Sequence, residues 1–119
     1  MEFKNGKPIY SQIVDELTMR IVNGTYKQGD KLPSVRELAV EMGVNPNTMQ
    51  RALAELERNG LVYTERTNGR FVTEEENMLK ELRSGLVEEY IAEFVEKLHQ
   101  IGMEDREIEA AIAKWLKEV

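Results

Sequence analysis

The fold of this chain is decided by residues 34–60, which read SVRELAVEMGVNPNTMQRALAELERNG. Apolar residues recur at i, i+3, i+4 and i+7 in each half of the stretch, which predicts two short amphipathic helices. The two stripes consist of Val35, Leu38, Ala39 and Met42 in the first half, and of Met49, Ala52, Leu53 and Leu56 in the second.

Both predicted helices carry signals for their ends. Ser34 and Glu37 have the spacing of a capping box, in which each side chain satisfies a backbone N–H near the other residue. Asn45 is a favoured N-cap and Pro46 suits the first helical position. Gly43 ends the first helix almost where the cap of the second begins. Two short helices joined by so tight a turn predict a helix-turn-helix.

A β-hairpin is predicted directly after the second helix. Residues 61–64 and 71–73 are short β-prone runs, and Asn68-Gly69 between them indicates a type I′ turn with positive φ at both central residues. A hairpin in this place is the wing of a winged helix. Upstream, a helix is predicted from about residue 8 to 23, so that residues 1–73 form a winged helix-turn-helix domain.

The rest of the chain, residues 74–119, is predicted to be a two-helix tail. Thr73 and Glu76 suggest a second capping box, Gly102 separates the two helices, and the last helix spans about residues 105–117. Two such helices cannot bury their wide apolar faces on each other alone. We therefore expect a dimerisation unit, with a helical cap on the monomer core as the alternative. The expected dimer contacts are Leu82, Leu86, Tyr90, Phe94, Leu98, Ile108, Ile112 and Trp115.

The fold class expected is therefore mainly α with one small hairpin. The net charge of −6 is unusual for a nucleic-acid-binding protein. However, residues 1–73 hold ten Lys/Arg against nine Asp/Glu, a net charge of +1, and residues 74–119 hold six against thirteen, a net charge of −7. The acidic excess belongs to the tail, so the charge does not exclude DNA as a partner of the first 73 residues.

Several function classes are excluded or made improbable. Without cysteine there are no disulfides, thiolate zinc sites or cysteine nucleophiles. The single histidine, His99, is interpreted as a surface or interface residue, and no G-x-S-x-G elbow is present. We expect no enzyme, no cofactor and no metal site. Apolar runs are too short to cross a bilayer and no signal peptide follows Met1, so a cytoplasmic protein is expected.

The chain resembles the GntR family of bacterial transcription regulators. The resemblance is carried by PIYSQI at 8–13, KLPSVRELA at 31–39, GVNPNT at 43–48, RAL at 51–53, LERNGL at 56–61 and GRFV at 69–72. The run from Val44 to Thr48 and the short tail are similar to the YtrA subfamily. Two positions depart from the family pattern: Thr67 stands where the wing often has glycine, and Gln50 stands where an arginine is common.

The resemblance implies a set of DNA contacts on the helix-turn-helix. Arg36 lies off the apolar stripe and is expected to contact phosphate or guanine, with an ion pair to Glu37 or Glu41 as the alternative. The hydroxyl of Ser34 is expected to bind both the N-terminus of its own helix and a DNA phosphate, with capping alone as the alternative. On the second helix, the recognition helix, the expected DNA contacts are Asn47, Thr48, Gln50 and Arg51. Asn45 is interpreted as an N-cap rather than as a residue that reads bases.

Arg66, Gly69 and Arg70 are expected to bring the wing to phosphate or into the minor groove, with solvation of the hairpin as the alternative. The function expected is a sequence-specific, homodimeric regulator of double-stranded DNA, and the resemblance favours repression. The alternative is a winged helix that binds proteins, and a fragment of an aminotransferase-like fusion is a distant third. The sequence names no small-molecule effector.

Overall fold

A computed structural model describes the whole chain, residues 1–119, as five helices and one two-stranded sheet. The elements in chain order are α1 Ile9–Val22, α2 Val35–Met42, α3 Pro46–Arg58, β1 Val62–Glu65, β2 Gly69–Val72, α4 Glu76–Gln100 and α5 Asp105–Glu118. The chain divides into two compact units, Met1–Lys80 and Glu81–Val119. The predicted fold class, mainly helical with one hairpin, is confirmed.

The predicted ends of α2 and α3 are confirmed. Both halves of the Ser34–Glu37 capping box are formed, and Gly43 ends α2 in the left-handed conformation with φ of 69°. A residue with a Cβ would be strained at that φ, which explains glycine there. In α3 the Asn45 side chain accepts a hydrogen bond from the N–H of Asn47, and Pro46 occupies the first turn.

The first unit has a core built from the predicted stripes. Helix α1 packs on α3, and α2 also packs on α3. The members that are buried to 2% exposure or less are Ile13, Leu17, Leu38, Ala39, Met42, Met49, Ala52, Leu53, Leu56, Val62 and Val72. Since α3 contributes a fully apolar stripe to this core, its opposite, polar face is left toward solvent.

The hairpin forms where it was predicted, but its turn is different. The strands pair antiparallel with Val62 opposite Val72 and Glu65 opposite Gly69, which leaves a three-residue loop rather than a type I′ turn. The N–H of Asn68 donates to the carbonyl of Glu65 at 3.1 Å, which is two residues earlier than in the predicted turn. Only Gly69 then needs positive φ, and its φ is 102°. The prediction of positive φ at Asn68 is wrong for this reason.

A third segment lies beside the hairpin and was not predicted. Lys31 forms an antiparallel bridge with Phe71. The N–H of Leu32 donates to the carbonyl of Arg70, and the N–H of Val72 donates to that of Asp30, both at 2.9 Å. Residues 30–32, which precede α2, are therefore hydrogen-bonded to strand β2. These bonds hold the wing beside the start of that helix.

The second predicted capping box does not form. The backbone of Thr73 prolongs the wing, because its N–H donates to the carbonyl of Leu61 at 2.9 Å. Its hydroxyl accepts from the N–H of Glu75 at 3.2 Å, so it cannot cap at Glu76, where α4 begins. At the start of α5, the N–H of Glu104 donates to the carboxylate of Glu107 at 3.0 Å.

The second unit has almost no core of its own. No residue of α4 is buried, and Ile108 is the one buried residue of α5. None of the five helices combines the length and apolar character needed to span a membrane.

Candidate nucleic-acid interface

Helix α3 presents an exposed polar face opposite its buried stripe. Asn47 and Gln50 are exposed and Thr48 is half-buried. The side chain of Asn45 is occupied by the cap, where its Oδ1 lies 2.7 Å from the N of Asn47. The side-chain amides of Asn47 and Gln50 form no hydrogen bond within the chain. Each can therefore donate and accept a hydrogen bond with a ligand.

Arg36 is exposed in the first turn of α2 and forms no ion pair. Both carboxylates that could compete for it are engaged elsewhere. The carboxylate of Glu37 accepts from the N–H of Ser34 at 3.2 Å, and Glu41 binds Arg20 at 2.7 Å. The bond from the Ser34 N–H lowers the pKa of Glu37 and keeps it in the cap. The guanidinium of Arg36 therefore keeps its five donors free for an anion.

Arg20 contrasts with Arg36, because its donors are used within the first unit. Its side chain hydrogen-bonds Glu16 and Tyr26, each at 2.9 Å, and joins α1 to Glu41 of α2. The hydrogen bond to Glu41 raises the pKa of Arg20. This arginine is structural, since it fastens two helices of the core together.

Arg51 of α3 stacks on the ring of Tyr10 in the first turn of α1. The guanidinium carbon lies 3.7 Å from the ring centroid. Arg51 is exposed and has no carboxylate partner, because the neighbouring Glu55 is paired with Arg58 at 2.6 Å. The structure thus places Arg51 beside the polar face of α3 with one face of its guanidinium covered by an aromatic ring.

The three predicted wing residues differ in their exposure and in their contacts. Arg66 is exposed at the tip and forms no ion pair. Arg70 is turned toward α3, with its Nε 3.8 Å from a carboxylate oxygen of Glu57 and without a hydrogen-bonding partner. Gly69 allows a close approach, because a Cβ there would lie 3.1 Å from the Cε of Lys31. The arginine at the tip is the freer of the two.

A cleft of about 500 Å³ lies between the start of α2 and the wing. Its lining includes Ser34 and Arg70, together with Lys31, Thr64 and Thr67, whose place in the cleft the sequence did not indicate. The hydroxyl of Thr64 donates to Glu57 of α3, and the Nε of Arg70 lies 3.8 Å from the same carboxylate oxygen, so both strands of the wing contact that helix. The N-terminus of α2, Lys31 and Arg70 converge here and favour an anion, while Glu37, whose carboxylate is engaged in the cap, also lines the cleft.

Gln12 is a further residue whose role was not foreseen. Its side chain is buried and its amide donates to the carbonyls of Lys4 and Lys7 at 2.9 and 3.0 Å, while its oxygen accepts from the N–H of Lys4. This clamp holds the segment before α1 against the helix. A polar residue within the apolar pattern of α1 was the available signal.

In the second unit, most of the predicted dimer residues lie at the surface of the single chain. Tyr90, Phe94, Ile112 and Trp115 are exposed, by 68% in the case of Trp115, and Leu82, Leu86 and Leu98 are half-buried. Ile108 differs, since it is 4% exposed and therefore already buried by its own chain. His99 is exposed and pairs with Asp105 at 2.6 Å.

The sequence matches the family model described as bacterial regulatory proteins, gntR family, over residues 9–72. Two relatives from Bacillus subtilis are similar over most of the chain. The HTH-type transcriptional regulator YhcF is 42% identical over 90% of this chain and 88% of its own length. The HTH-type transcriptional repressor YtrA is 35% identical over 98% of this chain and 87% of its own length.

Solved structures agree with these relatives. A GntR family transcriptional regulator from Listeria monocytogenes has a TM-score of 0.83 at 40% identity, covering 98% of this chain and 99% of that one. AraR(DBD) in complex with operator ORR3 has a TM-score of 0.55 at 29% identity, covering 61% of this chain and 88% of that one. The family and these relatives are transcription regulators rather than enzymes. The chain therefore belongs to the gntR family of bacterial regulatory proteins and is a DNA-binding transcription regulator.

Proposed function

We propose that this protein is a cytoplasmic repressor that binds a two-fold symmetric operator as a homodimer. Helix α3 would enter the major groove while the start of α2 and the wing rest on the backbone. The observation that carries the proposal is the exposed polar face of α3 beside Arg36, an arginine with no partner in the chain. The operator complex of the AraR domain and the repressor YtrA among the relatives support it.

The roles of the side chains follow from their surroundings. Gln50 and Asn47 carry free amides that suit the edge of adenine, with Thr48 beside them for a base or phosphate contact. Arg36 and Ser34 at the start of α2 suit phosphate, because a helix N-terminus and a free guanidinium both favour an anion. Asn45 supports the interface as a cap.

The wing would contact the backbone or the minor groove through Arg66, Gly69 and Arg70. Arg66 suits direct insertion, because it is exposed and free of ion pairs. Arg70 suits a phosphate at the cleft, because it is part of the lining. Gly69 would let the wing backbone approach the duplex closely.

The homodimer would form through the tail helices. Tyr90, Phe94 and Trp115 are exposed by 49%, 43% and 68%, and no residue of α4 is buried. Several large apolar side chains left in water on one small unit favour a partner surface. With two-fold symmetry, such a dimer would present two copies of α3 to one duplex. The alternative is a helical cap on the monomer core.

Selection of bound sequences from a random duplex pool tests the proposal. We expect an inverted repeat, because a two-fold dimer reads the same half-site twice. Binding to the selected duplex should weaken steeply with salt, since contacts to phosphate release counterions. Recovery of no preferred sequence, or binding that does not respond to salt, would instead support a winged helix that binds proteins.

A further inference from the structure

The aromatic ring of Tyr10 lies against Arg51 of α3. This ring is held firmly, because α1 packs on α3 and because the Gln12 clamp fastens the segment that precedes α1. Tyr10 is half-buried, and the guanidinium of Arg51 lies over its ring at 3.7 Å. The ring of Tyr10 is thus held by the packing of α1 on α3, while the arginine that lies over it is exposed.

Stacking leaves the hydrogen-bonding capacity of Arg51 intact. The ring covers one face of the planar guanidinium, whereas the N–H donors point outward in the plane. No carboxylate in the chain takes these donors, because Glu55 is paired with Arg58. Arg51 is therefore oriented by an apolar contact and still free to donate to a ligand, unlike Arg20, whose donors are used within the core.

We propose that Tyr10 is a positioning residue that fixes the guanidinium plane of Arg51 for a bidentate contact with a guanine edge in the operator. This inference rests on the proposed operator binding. Arg51 follows Gln50 and lies one helical turn after Asn47, so it belongs to the surface that would face the bases. The edge of guanine offers two acceptors in one plane. A guanidinium whose N–H donors are held in that same plane therefore binds it favourably.

Orientation distinguishes a base contact from a phosphate contact. A phosphate accepts from a guanidinium over a wide range of angles, so stacking would add little to its recognition. A bidentate contact with guanine needs the plane of the fork to match the plane of the base. Restricting the rotamers of a long side chain before binding reduces the entropy lost on binding. Loss of the ring should therefore weaken discrimination between bases more than general affinity for duplex.

The test measures dissociation constants of the full chain for the selected operator and for operators with each base pair of a half-site changed. We expect Arg51→Ala to abolish preference at one G·C pair. Tyr10→Leu should reduce preference at that same pair about two- to fivefold, and Tyr10→Phe should retain it, since phenylalanine keeps the aromatic face. In Arg51→Ala, the further change Tyr10→Leu should have no additional effect on this preference.

Tyr26→Leu is the matched control, because Tyr26 also lies beside an arginine of α1, Arg20, at 5.8 Å from its ring. We expect it to leave base preference unchanged, even where it lowers the melting temperature. Order parameters of the arginine Nε–H groups give a second measurement on the unmodified protein. Arg51 should be more ordered than Arg36 and Arg66.

The proposal is overturned if Tyr10→Leu lowers affinity for every duplex equally, or if its effect adds to that of Arg51→Ala. It is also overturned if Arg51 is as mobile as Arg36 and Arg66, a result that holds even where Tyr10→Leu does not fold. A different outcome, in which the unmodified protein selects no operator, contradicts the proposed function itself.

Discussion

Ser34 and Glu37 cap α2 reciprocally: the N–H of Ser34 donates to the Glu37 carboxylate, and the N–H of Glu37 donates to the Ser34 hydroxyl. The pairing satisfies two backbone groups at the helix start and engages the carboxylate nearest in sequence to Arg36 in a hydrogen bond. The capping box therefore has a consequence beyond helix stability, because it leaves the neighbouring guanidinium available.

Removal of the hydroxyl in Ser34→Ala should lower the free energy of unfolding by about 1 kcal/mol at neutral pH, as for other N-cap losses. The difference should also depend on pH. The backbone N–H of Ser34 and, after it, the Ser34 side chain lower the pKa of Glu37 from 4.5 in the folded chain. The N–H remains in Ser34→Ala, so the pH-dependent difference comes from the side chain. It is present above that value and is lost as the pH falls through the lower folded pKa. Chemical denaturation at several pH values checks this.

Two results would contradict this account of the cap. One is a stability difference between the two proteins that stays constant from neutral pH into strong acid. The other is a difference that grows with acidity. Thr25→Ala serves as a control, because its hydroxyl bonds only Asn23 in an exposed loop.

Arg36→Ala should weaken binding to operator and to random duplex alike. The arginine has no partner in the chain, so its loss removes one phosphate contact, and the slope of log affinity against log salt should decrease by about one. Titrations at several salt concentrations measure this. Arg58→Ala is the matched control, because Arg58 is an exposed arginine that is already paired with Glu55. A change confined to the operator would assign Arg36 to base reading instead.

Gln50→Ala should behave in the opposite way. Its amide lies on the exposed face of α3, so its loss should spare random duplex and cost about 1–3 kcal/mol on the operator, with relaxed preference at one base pair per half-site. Competition between operator and scrambled duplex provides the measurement. If both affinities fell equally, Gln50 would be a general contact rather than a reader.

The full chain should sediment at about twice the chain mass at micromolar concentration. Phe94→Glu should yield a monomer with weaker operator binding, because a charge on an apolar interface is not compensated there. Lys114→Glu also introduces a carboxylate, on the exposed surface of α5, and should leave the dimer intact. A full chain that sediments as a monomer, with operator affinity unaltered by Phe94→Glu, would remove the dimer from the proposal.

The sequence by itself determined the elements whose signals are local. The Ser34–Glu37 box, the Asn45 cap and the stripe through Leu53 depend on neighbours within two turns of helix, and all were predictable because those interactions need no distant partner. The exposed positions of Asn47 and Gln50 followed from the same stripe, since a helix that buries one face exposes the other. The family resemblance depended on these same segments.

Only the tertiary structure decided the features in which distant segments meet. Arg51 stacks on Tyr10 and so joins α3 to α1, and Lys31 pairs with Phe71 of the wing. The spacing of apolar residues in the sequence predicts neither contact. Asn68 and Thr73 were wrongly interpreted because local motifs compete with strand pairing. The strand register placed the turn hydrogen bond two residues earlier, and the N–H of Thr73, directly after β2, donates to the carbonyl of Leu61. Short-range capping and turn preferences amount to about a kilocalorie, so longer-range hydrogen bonds and packing override them.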